Sequence, residues 1–160
     1  MSSCYLDSFQ IRCIIFDVLT TTDFEAMLSG AELRVTRPRL AVLATLRDHP
    51  HSDTASIVEG ARLELGAVSH QAGYDVLRAL CAAGLVRKIE PQGSVPRYEL
   101  RVGDNHHHIV CRACGAIADV DCAVDYSPCL TASDDHGFTV DEAEVVYWGT
   151  CPTCSVCQTT

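Results

Sequence analysis

Residues 104–119 read DNHHHIVCRACGAIAD, and this stretch decides how the second half of the chain is held together. Three histidines run into a C-x2-C pair, Cys111 and Cys114, followed by a glycine. A second pair, Cys151 and Cys154, follows after 36 intervening residues. A C-x2-C turn brings two thiolates onto one ion, and two such turns complete the tetrahedral sulfur set that Zn²⁺ favours. The competing reading is two disulfides or spare thiols. His106 and His108 are spaced i, i+2. In an extended segment their imidazoles share one face and can share a second metal; otherwise the three histidines form a solvated turn. Sulfur suits a structural ion, whereas nitrogen and oxygen suit an exchangeable one.

The chain has 160 residues, ten cysteines and a net charge of −9. It is long enough to bury a core, as one domain or as two small ones. No apolar run approaches the ~20 residues that span a bilayer. Arg12, Cys13 and Asp17 sit wrongly for a cleavable secretory signal. The expectation is therefore a cytoplasmic protein without a membrane partner, its thiols on metal rather than in disulfides. The charge is unevenly spread. Residues 31–102 hold ten basic against eight acidic side chains, and residues 103–160 hold one arginine against nine acids. Such a split points to two domains with separate tasks.

Residues 1–22 give no interpretable pattern and are expected to be a poorly ordered extension. From Asp23, Phe24, Met27 and Leu28 form an apolar stripe of a short helix that Gly30 ends. Thr36 caps a second helix with Pro38 in its first turn. Leu40, Val42, Leu43 and Leu46 face inward, and the helix stops near His49-Pro50. A third starts at Ser52 or Asp53, buries Ile57, Val58 and Ala61, and ends near Gly66. Ser69 caps a fourth, over 69–82, with Ala72, Val76, Leu80 and Ala83 inward. Gln71, Tyr74, Asp75 and Arg78 lie outward, and Gly84 is the stop. LVRKIE and VPRYELRV then read as two strands joined at 91–94. Helices followed by a basic hairpin make a winged helix-turn-helix over 23–102, with 69–82 in the DNA major groove. Over 103–160 the pattern is strand, zinc knuckle, strand (GAIADVD), a helix near 127–135 and a last strand over 139–148. This small α+β unit has too few strands for a comfortable core, so zinc and a second copy are expected to complete it. The fold class is thus α+β: a DNA-binding winged helix followed by a zinc-containing dimerisation domain.

Taken together, LRVTRPRLAVL (33–43), HPHSDTASI (49–57), VSHQAGYDVLRALCAAGLVRKI (68–89), RYEL (97–100), HHHIVCRACG (106–115) and YWGTCPTC (147–154) resemble the ferric uptake regulator (Fur) superfamily. Within it the chain is most similar to the peroxide-sensing PerR-like and actinobacterial FurA- or CatR-like repressors. The resemblance implies structural zinc on Cys111, Cys114, Cys151 and Cys154. It also implies a regulatory Fe²⁺ or Mn²⁺ site on His49, Glu99, His106, His108 and Asp119, drawn from both domains. His49 is chosen over His51 because it occupies the family's His-Pro position. Tyr74 and Arg78, with Ser69 and Gln71 on the same helix, would meet DNA, and Arg39 would support a backbone contact. Gly73 departs from the family's valine-like residue, and a glycine inside a helix costs roughly 1 kcal/mol against alanine.

The implied function is a metal-dependent transcriptional repressor, not an enzyme. It would bind operator DNA as a homodimer and sense peroxide by oxidation at the regulatory site. Asp119, where iron-sensing members more often carry Glu, favours the peroxide branch. The alternatives are an iron- or zinc-responsive regulator without oxidation, a thiol switch that releases zinc, and a zinc hydrolase using Glu99 as a base. A hydrolase has no use for the helix-turn-helix.

Overall fold

The computed structural model describes residues 19–66, 69–90, 95–100, 106–121, 132–140 and 143–157. The chain divides into two units, Met1–Val102 and Gly103–Thr160. The extension over 1–18, the hairpin turn at 91–94 and most of the expected helix at 127–135 lie outside the described residues.

In the first unit α1 spans Thr21–Gly30 and starts two residues before Asp23. The reason is a reciprocal cap. The Thr20 hydroxyl oxygen accepts from Asp23 N at 3.4 Å, and the Asp23 carboxylate accepts from Thr20 N at 2.7 Å. α2 spans Arg37–Asp48 with Pro38 in its first turn, but the Thr36 side chain makes no capping hydrogen bond. α3 spans Thr54–Leu65, and its cap is Asp53, whose carboxylate accepts from Ser56 N at 2.8 Å. α4 spans His70–Ala82, with Ser69 Oγ accepting from Ala72 N at 3.1 Å. Phe24, Leu28, Leu43, Leu46, Ile57, Leu77 and Leu80 close one apolar core between the four helices.

α4 is turned from the orientation its spacing suggests. It buries Gly73, Leu77 and Leu80, while Ala72 is exposed and Val76 is only partly covered. Gly73 faces α3, where a Cβ would stand 2.3 Å from Val58 Cγ2. Gly60 repeats the arrangement between α3 and α2, since a Cβ there would stand 2.5 Å from Thr45 Cγ2. The two glycines set how closely these helices approach.

Gly84, at φ +70°, turns the chain out of α4 into the hairpin. β2 (Val86–Ile89) and β3 (Arg97–Leu100) pair antiparallel from Val86↔Leu100 to Ile89↔Arg97. A two-residue strand, β1 (Ser52–Asp53), pairs with the other edge of β3 through Ser52↔Tyr98. β1 was not expected, and it ties the loop before α3 to the wing.

In the second unit β4 (His106–Cys111) is central. β5 (Ile117–Asp121) runs antiparallel to it and β6 (Val146–Gly149) parallel. The short helix α5 (Pro152–Cys157) begins just after Cys151 and carries Cys154. Two expectations are corrected here. Residues 132–135 are not helical. The last strand is Val146–Gly149 rather than beginning at 139, and it pairs with His108–Cys111 of β4. Among the described residues of this unit the buried side chains are His106, His107, His108, Val110 and Cys111. So small an apolar set needs another source of stability.

Candidate metal centres and nucleic-acid interface

The four cysteines come together as the C-x2-C spacing requires. β4 delivers Cys111, and the following turn returns Cys114. That turn is closed by Gly115 N donating to Cys111 O at 2.9 Å, with Gly115 at φ +72°. β6 lies beside β4 at Cys111↔Gly149, which places Cys151 at the same end of the sheet. One donor atom from each of the four cysteines lies within 4.8 Å of every other. Cys114 and Cys151 Sγ are 3.7 Å apart, close to the roughly 3.8 Å edge of a tetrahedron with Zn–S bonds of about 2.3 Å. Cys151 N donates to Cys111 Sγ at 3.3 Å. This backbone donor, with a second from Cys114, lowers the Cys111 thiol to about 6. Cys154 is pushed up to about 12, first by the hydrogen bonds it makes to Cys151 and Cys114. The set fits Zn²⁺ and contains no disulfide.

A nitrogen and oxygen set forms elsewhere on the same sheet. His106 and His108 alternate with His107 along β4 and so share a face. The antiparallel register puts Asp119 directly across from His108. Nε2 of His106 and Nε2 of His108 each lie 3.7 Å from Asp119 Oδ1. Two imidazoles and a carboxylate converging at this separation fit a cation with bonds of about 2.1 Å.

The first unit holds its own histidine–carboxylate pair. Glu99, buried on β3, accepts or shares a proton with His51, whose Nε2 is 3.1 Å from Glu99 Oε2. Arg87 Nη1 lies 3.9 Å from the other oxygen. The expectation of His49 is corrected. His49 is the exposed C-cap of α2, whereas His51 immediately precedes β1, whose pairing with β3 carries it to Glu99. His51 also sits at φ +59°, in the left-handed region, where a residue without Gly's freedom is held by its surroundings. The His-Pro position alone favours His49 over His51, and a strand of two residues leaves no periodicity that would place His51 beside Glu99.

The outer face of α4 is as expected. Gln71, Tyr74, Asp75 and Arg78 are exposed, and Tyr74 presents 54% of its surface. Ser69, also expected to meet DNA, spends its hydroxyl on the helix cap. Arg39 donates Nη1 to Arg34 O at 2.6 Å and so braces the turn before α2. Among the described residues no helix is long and apolar enough to cross a membrane.

A winged helix followed by a sheet unit with a four-thiol cluster and a separate imidazole–carboxylate set defines a metal-dependent, DNA-binding transcriptional regulator. The chain belongs to the ferric uptake regulator family, which it matches over residues 30–147. It is 66% identical over 137 residues to the transcriptional regulator FurA of Mycobacterium tuberculosis, covering 86% of this chain and 93% of that one. Its fold is shared with the Helicobacter pylori ferric uptake regulator Fur, described as having three functional metal binding sites. The TM-score is 0.65 at 17% identity, over 86% of this chain and 95% of that chain. The Campylobacter jejuni peroxide stress regulator has the same fold, with a TM-score of 0.61 at 22% identity over 93% and 100% of the two chains. Members of this family are regulators, not enzymes.

Proposed function

We propose that the chain is a homodimeric repressor in the cytoplasm that senses peroxide at a regulatory Fe²⁺ or Mn²⁺ site and controls oxidative-stress genes. The site is assigned to His51 and Glu99 of the first unit with His106, His108 and Asp119 of the second; His51 replaces His49. One observation carries the reading. Each unit gathers nitrogen and oxygen donors, at 3.1 Å in the first and 3.7 Å in the second, apart from the sulfur cluster. Such donors suit Fe²⁺ and Mn²⁺, whereas the thiolates suit Zn²⁺.

An ion bound by both units would fix their relative orientation. Turning a population from 1:99 to 99:1 takes about 5.5 kcal/mol of preference for one state. His51 and Glu99, engaged only in the DNA-ready state, are the groups that would supply it. Fe²⁺ held by these residues would activate peroxide. The O–O bond would break, one oxygen would add at an imidazole carbon of His51 or His106, and the other would leave as water. The imidazole would lose the two electrons that peroxide gains, with the ion unchanged overall. An oxidised His51 or His106 is a poorer donor, the preference is lost, and the operator is released. Asp119, rather than a glutamate, supports the peroxide branch. Dimerisation is supported by the exposed Ile109 and Tyr147, adjacent in the β4–β6 register.

The test is duplex binding by protein holding one zinc, with Fe²⁺ or Mn²⁺ added, before and after peroxide. Loss of binding only with Fe²⁺ supports the reading. Indifference to peroxide with both ions makes the protein a metal-occupancy sensor, and loss with zinc release makes it a thiol switch.

A further inference from the structure

The exposed face of α4 carries one anion among groups suited to nucleic acid. Asp75 Oδ1 accepts from Gln71 Nε2 at 3.3 Å and from Arg78 Nη2 at 3.2 Å. A single carboxylate oxygen thus gathers the side chains one turn before it and one turn after it. These two have the strongest base-edge chemistry on the helix, since glutamine matches adenine and arginine matches guanine, each through two hydrogen bonds. The trio borders a recess of about 490 Å³ between α4 and the hairpin, whose other walls include Tyr74, Lys88 and Tyr98.

A carboxylate at this position opposes the polyanion that the surface is to receive. Arg78, with 82% of its side chain exposed, would otherwise reach any phosphate within range. Phosphate contacts raise affinity for every sequence alike, and base contacts separate one sequence from another. Discrimination gains when the arbitrary contact is penalised as well as when the chosen one is favoured. Asp75 does both. It repels a phosphate brought to Arg78, and it presents Arg78 and Gln71 as one ordered pair.

We propose that Asp75 is a specificity-determining residue of the DNA-reading face, holding Arg78 and Gln71 for base edges and disfavouring indiscriminate phosphate contact. This rests on α4 being the helix that reads DNA.

The test uses the full-length zinc-containing protein with Mn²⁺. One duplex is enriched by the wild type from a random pool, and a second is its shuffled counterpart. Asp75→Asn removes the charge and keeps the shape; Asp75→Ala removes both. Both variants are expected to bind the shuffled duplex more tightly. The ratio of selected to shuffled affinity should fall about tenfold, the scale of one lost base discrimination. On the shuffled duplex the salt dependence should steepen by about one unit of slope, as Arg78 turns to a phosphate. Adding Arg78→Ala to Asp75→Asn should abolish that gain. An unchanged ratio and slope in the Asp75 variants, while Arg78→Ala alone weakens binding, overturns the role of Asp75. If Arg78→Ala leaves both duplexes bound as before, α4 is not the reading helix, and this role falls with it.

Discussion

A Cβ on Gly73 would stand 2.3 Å from Cγ2 of Val58, so α3 and α4 cross at a separation that a glycine makes possible. The residue that looks like a weak point of the helix is therefore a packing requirement of the DNA-binding unit. Val58 is stiff at χ1 within α3 and has little room to turn aside.

Gly73→Ala sets a helix-propensity gain of about 1 kcal/mol against an overpacking cost of about 1–3 kcal/mol. Net destabilisation is expected. Val58→Ala in the same chain should make Gly73→Ala neutral or favourable. Urea unfolding of the four combinations measures the coupling; an Ala at 73 that stabilises with Val58 in place would refute the packing account.

The sulfur cluster should be structural. Cys111→Ser or Cys154→Ser is expected to lose zinc and with it the fold of the second unit and the dimer. A structural Zn²⁺ contributes on the order of 10 kcal/mol, comparable to a whole domain's stability. Zinc content, circular dichroism and sedimentation follow this together. A zinc-free variant that stays a stable, DNA-binding dimer contradicts it.

Asp53 caps α3 next to the loop that positions His51. Hydrogen bonds from Ser56, its backbone N–H first, hold the Asp53 carboxyl below its ordinary 3.8. A lowered folded value means that the stabilisation is complete above 3.8 and fades as pH falls through the lower value. Asp53→Ala should cost about 1 kcal/mol near neutrality and little in strong acid, as thermal melts across pH would record. An equal cost at both ends would show that the cap's charge is immaterial.

How much of this was legible in the chain follows from the length of each signal. The Ser69 cap, the start of α3 near Asp53, the four helices of the first unit and the C-x2-C pairs declare themselves through side-chain chemistry and period, and all are found; the Thr36 cap is not, its side chain making no capping hydrogen bond. On the buried side of α4 Leu80 is found as expected, but Gly73 and Leu77 lie inside where Ala72 and Val76 were expected. A glycine carries no hydrophobic signal, so Gly73 was set aside in favour of Ala72. The His-Pro position points to His49, whereas the structure places His51 beside Glu99, through a two-residue β1 whose partner β3 lies more than forty residues away. The last strand was overextended: of TVDEAEVVYW only the segment from Val146 pairs with β4.

The histidine assignment can be separated from the zinc site. His51→Ala and Glu99→Gln should each remove the Mn²⁺ dependence of DNA binding while leaving one zinc per chain, whereas His49→Ala should change neither. Metal titration monitored by DNA binding distinguishes them. If His49→Ala abolishes the response and His51→Ala does not, the pairing of His51 with Glu99 has no regulatory meaning.

The most direct measurement of the central claim is mass spectrometry of protein treated with low peroxide after loading with Fe²⁺ or with Mn²⁺. The account predicts one added oxygen on the peptide carrying His51 or the one carrying His106, in the Fe²⁺ sample only. DNA binding should be lost in parallel, with all four zinc cysteines intact. Oxygen confined to the cysteines, with zinc leaving before DNA does, would contradict it.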